Sequence, residues 1–252
     1  MKFSRYKRDY PFSYTLGATL SYELLKTKPE LIRRAFLRPN IKHGDDLAKI
    51  IAEYRRRHID VIESDKPFNV LGAKENCLFI AEFNKPATEL DYKASAPHIV
   101  LVNPSDAGNL GTIMRTAVAF NYQNIAIIAP AVDAYDPKTV RASMGAIFHL
   151  NIQLFPSFDD YLKLCVKNNS SSERSLFSFM LNQKAITLPQ VTLKDTNFAL
   201  IFGNEAAGLP TDFATKTQPI FIPQSKNVDS LNLSVAVSLA LYHFAQKISP
   251  EL

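Results

Sequence analysis

The chain has 252 residues, 46% of them apolar and 21% charged, which is enough to bury one large core or two smaller ones and too apolar for a disordered polymer. No run approaches the roughly 18 apolar residues of a membrane span, the opening MKFSRYKRDYPF lacks a signal-peptide core, and Cys77 and Cys165 stand far apart without Cys or His at ligand spacing, which speaks against a disulfide framework or a zinc site. The expectation is a metal-free cytoplasmic protein whose net charge of +5 points towards a polyanionic partner.

In chain order, Ala18–Leu25 reads as a first helix, followed by the basic stretch LIRRAFLRP. In DDLAKIIAEYRRRHIDVIES, Leu47, Ile50, Ile51 and Tyr54 recur at i, i+3, i+4, i+7, with Asp45 and Asp46 at the start and arginines at the end. That pattern predicts an amphipathic helix and then a strand. NCLFIAEF, around Cys77–Phe83, is a further strand. Residues 1–92 hold 17 Lys+Arg against 13 Asp+Glu (+4) and the remainder 12 against 11 (+1), so the excess sits here, in Arg33, Arg34, Arg38 and the run Arg55-Arg56-Arg57-His58. A solvated helix face is the plain reading of such a run, and contact with nucleic acid the sharper one. The polar, proline-flanked Asn84–Pro97 reads as a linker, dividing a small α/β unit (1–84) from a larger region (98–252), with 85–97 between them.

From His98 the pattern changes. HIVLVNP and NIAIIAP are near-continuous apolar runs, as in parallel strands buried on both faces. LGTIMRTAVAF between them makes a helix and completes a βαβ unit. IFHLNIQLF, SLFSFM, FALIFG and PIFIP are further strand candidates, and Lys167–Ser175 a polar surface loop. The final helix, apolar on all sides around Leu231, Val235, Val237, Leu239 and Ala240, is expected to be buried in its own domain or against a partner.

Three loops at the carboxyl ends of these strands, where open parallel sheets bind ligands, carry unusual residues. In NPSDAGNLGTIMR, Gly108 and Gly111 permit close backbone approach, while Asn109 supplies an amide and Arg115 a fixed positive fork. A capped turn with one solvated arginine is the plain alternative. There is no G-x-G-x-x-G and no G-x-x-x-x-G-K, so dinucleotide and P-loop sites lose their support. In FALIFGNEAAGLP, Glu205 lies between Gly203 and Gly208. In PIFIPQSKNVDSLNLSVA, Ser230, Asn232 and Ser234 open the apolar helix, although an unpartnered buried polar group costs about 1–3 kcal/mol. Asp229 or Ser230 is expected to cap that helix, which leaves Asn232 inside its first turn.

Taken in order, AGNLGTIMRTAVAF, GNEAAGL and IPQSKNVDSLNLSVA resemble the three motifs of the SpoU/TrmH RNA ribose methyltransferases of the SPOUT superfamily, and VRASMGAIFHL (Val140–Leu150) is similar to a segment between the first two. The resemblance covers roughly His98 to the end. The first ninety residues more weakly resemble the small substrate-binding domain of that family. The resemblance implies a SPOUT-type α/β catalytic domain with a carboxyl-terminal trefoil knot, preceded by a small α/β RNA-binding domain, in a homodimer. It implies S-adenosylmethionine held against Gly203, Ile222 and Leu231, and a methyl group transferred to a ribose 2′-hydroxyl of rRNA or tRNA. Asn109, Arg115, Glu205, Ser230 and Asn232 would surround the reaction centre. For Arg141, contact with an RNA phosphate and a structural salt bridge are both expected readings, and the charge clustering puts Arg33, Arg34, Arg55, Arg56 and Arg57 towards RNA. Arg115 matches the position of the family's proposed base, yet a guanidinium normally keeps its proton, so base and positioning roles both stay open. Asp106-Ala107-Gly108-Asn109 lacks the family's usual proline, Ala206 replaces a common glycine and Leu233 a common valine.

Two other readings compete. NPSD faintly resembles the loop of amino-methyltransferases, without its second proline and base-stacking aromatic residue. A non-catalytic RNA-binding protein that retains the fold has no reason to keep all five polar residues.

Overall fold

The computed structural model describes residues 5–40, 44–87, 89–92, 96–168, 174–182 and 185–248. Its elements, in chain order, are β1 (Phe12–Leu16), α1 (Ala18–Thr27), β2 (Ile32–Leu37), α2 (Asp45–Arg56), β3 (Val61–Glu63), α3 (Lys66–Val70), β4 (Phe79–Asn84), β5 (His98–Val102), α4 (Ala107–Ala119), β6 (Asn124–Ile128), α5 (Pro137–Ala142), β7 (Asn151–Phe155), α6 (Phe158–Asn168), β8 (Ser175–Phe179), β9 (Ile186–Thr187), β10 (Phe198–Phe202), α7 (Phe213–Lys216), β11 (Gln218–Phe221) and α8 (Leu233–Ile248). They group into two compact units. One comprises Met1–Ala87 with Asp133–His149, the other Thr88–Val132 with Leu150–Leu252.

The first unit is a mixed four-stranded sheet in the order β1-β4-β2-β3. β4 runs antiparallel to β1 and β2, and β3 runs parallel to β2. One face packs on α1 and α2. There Tyr54 meets Phe79 edge-on with centroids 5.0 Å apart, and its hydroxyl donates to the Ser21 carbonyl at 2.7 Å. The helix expected over 45–57 buries Leu47, Ile51 and Tyr54 and leaves Ile50 half-buried. Segment 133–149 joins this unit through Phe148, edge-on to Phe83 at 5.3 Å, and through the Tyr135 carbonyl, which accepts from Ser13 Oγ. The other face carries Tyr14, Phe36 and Ile80 against Phe68 and Cys77. On that face lies Glu82, only 1% exposed, which accepts from Arg34 Nη2 at 2.9 Å and faces Arg33 Nε at 3.4 Å.

The second unit is a seven-stranded sheet, β7-β6-β5-β10-β8-β11-β9, and every pairing in it is parallel. β5, β6 and β10 are buried along their whole length, which explains their unbroken apolar runs. α4 turns Leu110, Gly111, Ile113, Met114 and Ala117 to the core. His98, at the head of β5, is fully buried between the Tyr161 hydroxyl at 2.9 Å and the Asp91 carbonyl at 2.8 Å. Burial, together with the nearby charge of Arg174, pushes its pKa down to about 4.

Several expectations are corrected. IFHLNIQLF is a strand only in its second half, because Met144 and Gly145 turn the chain at φ 50° and 93° and Ala146–His149 forms a 3-10 turn. Lys167–Ser175 is not a polar surface loop throughout. Lys167 and Asn168 close α6 and Ser175 opens β8, while Arg174 is 6% exposed and donates to the carbonyls of Ala96 at 2.6 Å and Phe198 at 3.1 Å. Residues 169–173 lie outside the described residues, as do 88 and 93–95 of the stretch read as a linker. The described part of that stretch is tied down: Leu90 is buried, and Asp91 N donates to Asn124 Oδ1 at 2.8 Å. Of the two alternatives for α8, burial within its own unit holds for Leu233, Val237, Ala240, Leu241 and Phe244 but not for Val235, Leu239 and Tyr242, which are exposed along one stripe.

Candidate active site

β5 and β10 are neighbours at the middle of the parallel sheet, and the strands on their far sides, β6 and β8, are reached in opposite directions. Their outgoing loops therefore flank a topological switch point, the natural crevice of such a sheet. From β5 the chain passes through Asn103, at φ 54°, to Asp106, whose carboxylate accepts from Asn109 N at 2.7 Å and caps α4. From β10 it enters a loop closed by Asn204 N to the Gly208 carbonyl (3.2 Å) and Gly208 N to the Asn204 carbonyl (2.9 Å). A Cβ on Gly203 would lie 2.2 Å from Gly208 C, so only glycine allows this closure, and Gly208 turns at φ 66°. Asn204 staples the two loops. Its Nδ2 donates to the Asn103 carbonyl at 2.8 Å, and its Oδ1 accepts from Ala206 N and Ala207 N at 2.9 and 3.0 Å.

Glu205 then reaches across. Its Oε2 accepts from Ser105 N at 3.1 Å and Ser105 Oγ at 2.7 Å; its Oε1 accepts from Asp106 N and Asn109 Nδ2, both at 3.2 Å. Asn109 Oδ1 accepts from Asn232 Nδ2 at 3.0 Å, and Asn232 Oδ1 accepts from Ser234 N at 2.8 Å and Ser234 Oγ at 2.7 Å. An ionised carboxylate only accepts and a backbone N–H only donates, so the two ends of this series fix the orientation of both amides. Burial pushes the Glu205 carboxyl up, but the bonds from Ser105, its own backbone N–H and Asn109 outweigh it and hold its pKa below the ordinary range.

This geometry corrects the expected cap. Asn232, not Asp229 or Ser230, is the N-cap of α8, since its carbonyl accepts the first helical bond from Ala236 N at 3.0 Å and its side chain holds Ser234 N. Asp229 and Ser230 are exposed ahead of the helix.

Beside the series lies a cavity of about 710 Å³. Gly203, Ile222 and Leu231 all line it, with Glu205 and Ser230, and its apolar walls include Phe179, Phe202 and Ile220. Four of the five expected reaction-centre residues thus meet: Asn109, Glu205 and Asn232 in one hydrogen-bonded series, and Ser230 on the shared cavity wall. Arg115 stands apart on the exposed side of α4, with no hydrogen bond or ion pair among the described residues. Sequence reasoning missed Ser105 and Asn204, which hold Glu205 and join the loops. Their signal was position alone, each next to an acidic residue at the carboxyl end of a strand.

The arginines expected to face RNA differ among themselves. Arg33 and Arg34 serve Glu82 and lie over Phe12 and Phe36 at 4.5 and 5.2 Å. Arg56 and Arg57 both hold Glu53 at 2.7 Å, and Arg57 also donates to the Leu25 carbonyl at 2.9 Å. Arg55 and Arg141 are exposed, and neither has an ion-pair partner among the described residues. Among the described residues no cluster of His, Cys, Asp or Glu suits a metal ion, and no helix is long and apolar enough to cross a membrane.

Residues 96–242, more than half of the chain, match the SpoU rRNA Methylase family. The chain belongs to that family. It is 31% identical over 156 residues to the 23S rRNA (guanosine(2553)-2'-O)-methyltransferase RlmP of Bacillus subtilis, covering 60% of this chain and 58% of that protein. It is 27% identical over 187 residues to a 23S rRNA (uridine(2479)-2'-O)-methyltransferase of Streptomyces viridochromogenes, covering 68% and 61%. The chain thus spans about three fifths of the length of these curated relatives. Its fold is similar to that of the SpoU methyltransferase AviRb from Streptomyces viridochromogenes in complex with AdoMet, with a TM-score of 0.80 at 20% identity over 94% of this chain and 90% of that one. It is also similar to an AdoMet-bound rRNA methyltransferase from Sinorhizobium meliloti, with a TM-score of 0.77 at 22% identity over 94% and 87%. At these identities the likeness establishes the fold, an α/β fold with a parallel sheet of the SpoU methyltransferase kind.

Proposed function

We propose that this protein transfers a methyl group from S-adenosylmethionine to a ribose 2′-hydroxyl of rRNA or tRNA. The observation that carries the reading is the series Ser105–Glu205–Asn109–Asn232, which meets the cavity bounded by Gly203, Ile222 and Leu231 at Glu205. The residues present fit the cofactor. The missing Cβ of Gly203 lets the Gly203–Gly208 loop close on itself at the cavity wall, the apolar walls suit an adenosine ring, and an ionised Glu205 puts a negative charge where a sulfonium cation would bind. When bound, S-adenosylmethionine supplies a methyl carbon already activated by a neutral thioether leaving group. The chain then has two tasks, to align the hydroxyl oxygen and to manage its proton. Asn109 and Asn232 are locked by their mutual bonds and shape the site. Ser230 and Arg115 keep side-chain donors available for the incoming sugar and its phosphate.

The finer expectations belong to this reading. The trefoil knot is supported by the likeness to SpoU structures and by a strand order in which β10 enters between β5 and β8. A homodimer is supported by the stripe Val235, Leu239 and Tyr242 on α8, exposed by 46, 43 and 52% at helical spacing. A monomer mass by sedimentation at micromolar concentration would overturn it. RNA binding by the first unit is carried by Arg55 and Arg141, whose charges are uncommitted. A cytoplasmic location belongs to the same reading.

The test is calorimetric titration with S-adenosylmethionine, followed by mapping of 2′-O-methyl groups on transcribed rRNA and tRNA incubated with cofactor and protein. Cofactor binding with new methyl sites is expected. Binding of RNA without cofactor or methyl transfer would leave a non-catalytic RNA-binding protein.

A further inference from the structure

A second cavity, of about 680 Å³, also borders the Asn204–Gly208 loop and shares Asn204, Ala207 and Gly208 with the first. Its volume lies within the roughly 300–1,000 Å³ typical of small-molecule sites. A group-transfer enzyme needs two pockets that meet at one wall, and Glu205, on the first cavity, is held by Ser105, on the second.

The lining states what the second cavity would accept. Among the described residues no charged side chain lines it, which does not suit a phosphate. Pro104, Pro130, Pro210 and Val132 offer flat apolar surface. The amide of Asn204 is already committed to backbone groups on both sides, and the Ser105 hydroxyl to Glu205. Asn103 is different. Its side-chain amide has no hydrogen-bond partner among the described residues, and its backbone sits at φ 54°, a conformation that asparagine tolerates better than most residues. An amide presents one acceptor and two donors, the complement of a nucleobase edge, and apolar rings suit a nucleobase face.

We propose that this second cavity takes the base of the acceptor nucleotide, with the prolines against its face and the Asn103 amide reading its edge. The proposal rests on the methyltransferase reading and adds a determinant of which base bears the methylated ribose. In the reaction, the 2′-oxygen of that nucleotide bonds the methyl carbon, the carbon–sulfur pair leaves with the thioether, and the hydroxyl proton passes to solvent or phosphate.

The experiment uses the full chain and a short oligoribonucleotide copying a mapped methylation site, made in four versions that differ only in the base at the methylated position. Val132→Trp should fill the cavity and lower kcat/KM at least a hundredfold while S-adenosylmethionine binds as before. Asn103→Asp keeps the shape and the tolerance of positive φ but exchanges donors for an acceptor; it should change the ranking of the four bases by tenfold or more. Asn103→Gly keeps the backbone and should flatten that ranking. Unchanged rates and ranking in all three variants, with wild-type transfer intact, would overturn the second cavity and leave the proposed function standing. Absence of transfer by the wild-type chain would overturn both. Loss of cofactor binding in Val132→Trp would mean that the two cavities are not separate sites, which also overturns the proposal.

Discussion

The two units use their polar residues differently. In the first, the basic run that singles it out in the sequence is largely consumed internally: Arg33 and Arg34 serve a buried Glu82, and Arg56 and Arg57 share Glu53. In the second, neutral amides and one carboxylate bond to each other where the loops after β5 and β10 meet the start of α8, and the carboxylate lines a cavity. Clustered charge therefore says less about a binding surface than polar side chains placed where a parallel sheet must open.

The sharpest way to test that contrast is to remove Arg115, which stands on α4 apart from the hydrogen-bonded series and has no ion-pair partner among the described residues. Arg115→Ala should lower methyl transfer by at least about 10³-fold, roughly 4 kcal/mol of barrier, while calorimetry shows S-adenosylmethionine binding unchanged. Turnover near that of the wild type would remove the arginine from the reaction. Next comes the loop closure. Gly203→Ala drives a Cβ into Gly208 and should weaken cofactor affinity by about a hundredfold, near 3 kcal/mol, with a lowered melting temperature. Retained affinity would show that the closed loop is not required.

In the first unit, the counterpart is Glu82→Gln. It leaves two guanidinium groups without their buried carboxylate and should cost about 3 kcal/mol in urea unfolding, without altering cofactor affinity. A loss below half of that would assign Glu82 to decoration rather than structure.

Acid gives a test of comparable size in the second unit. His98 has a folded pKa of about 4, below the ordinary 6.5, because burial and Arg174 disfavour its charged form. Above pH 6.5 it is neutral in both states and its contribution is fully present. As pH falls from 6.5 towards 4, the unfolded chain takes up a proton that the folded one refuses, and stability drops by up to about 3 kcal/mol. Unfolding measured at pH 7 and pH 4.5 should show this, and His98→Gln should flatten the difference; an equal acid loss in that variant would exclude His98 as its source. The smallest effect is expected from Arg55→Ala, within about 0.5 kcal/mol in stability, with the salt slope of RNA binding reduced by about one if Arg55 meets a phosphate. An unchanged slope would leave Arg55 a solvated helix residue.

Much of the architecture was readable in advance where burial imposes a pattern. β5, β6 and β10 announce themselves because both faces are covered, and α2 because one face is. β1 did not, since Ser13 and Thr15 are buried as deeply as Tyr14 between them and no alternation survives. β2 hid behind its arginines, whose carboxylate lies 48 residues further along and is invisible to local pattern. The site was legible in composition and order but not in its joints. Asp229, Ser230 and Asn232 are equally good caps by type, and the choice falls on Asn232 because only there can one amide hold the helix and also reach Asn109. Ser105 and Asn204 become visible only when the two loops are side by side.

That joint has an electrical consequence. Every donor in the series points the same way, from Ser234 N–H through Asn232 and Asn109 to Glu205, so each bond polarises the next. The partial positive charge at the mouth of α8 is thereby relayed to a carboxylate on another loop. Glu205 behaves as a terminal wired to a distant helix, and replacing either amide by alanine would cut the wire without touching the carboxylate itself.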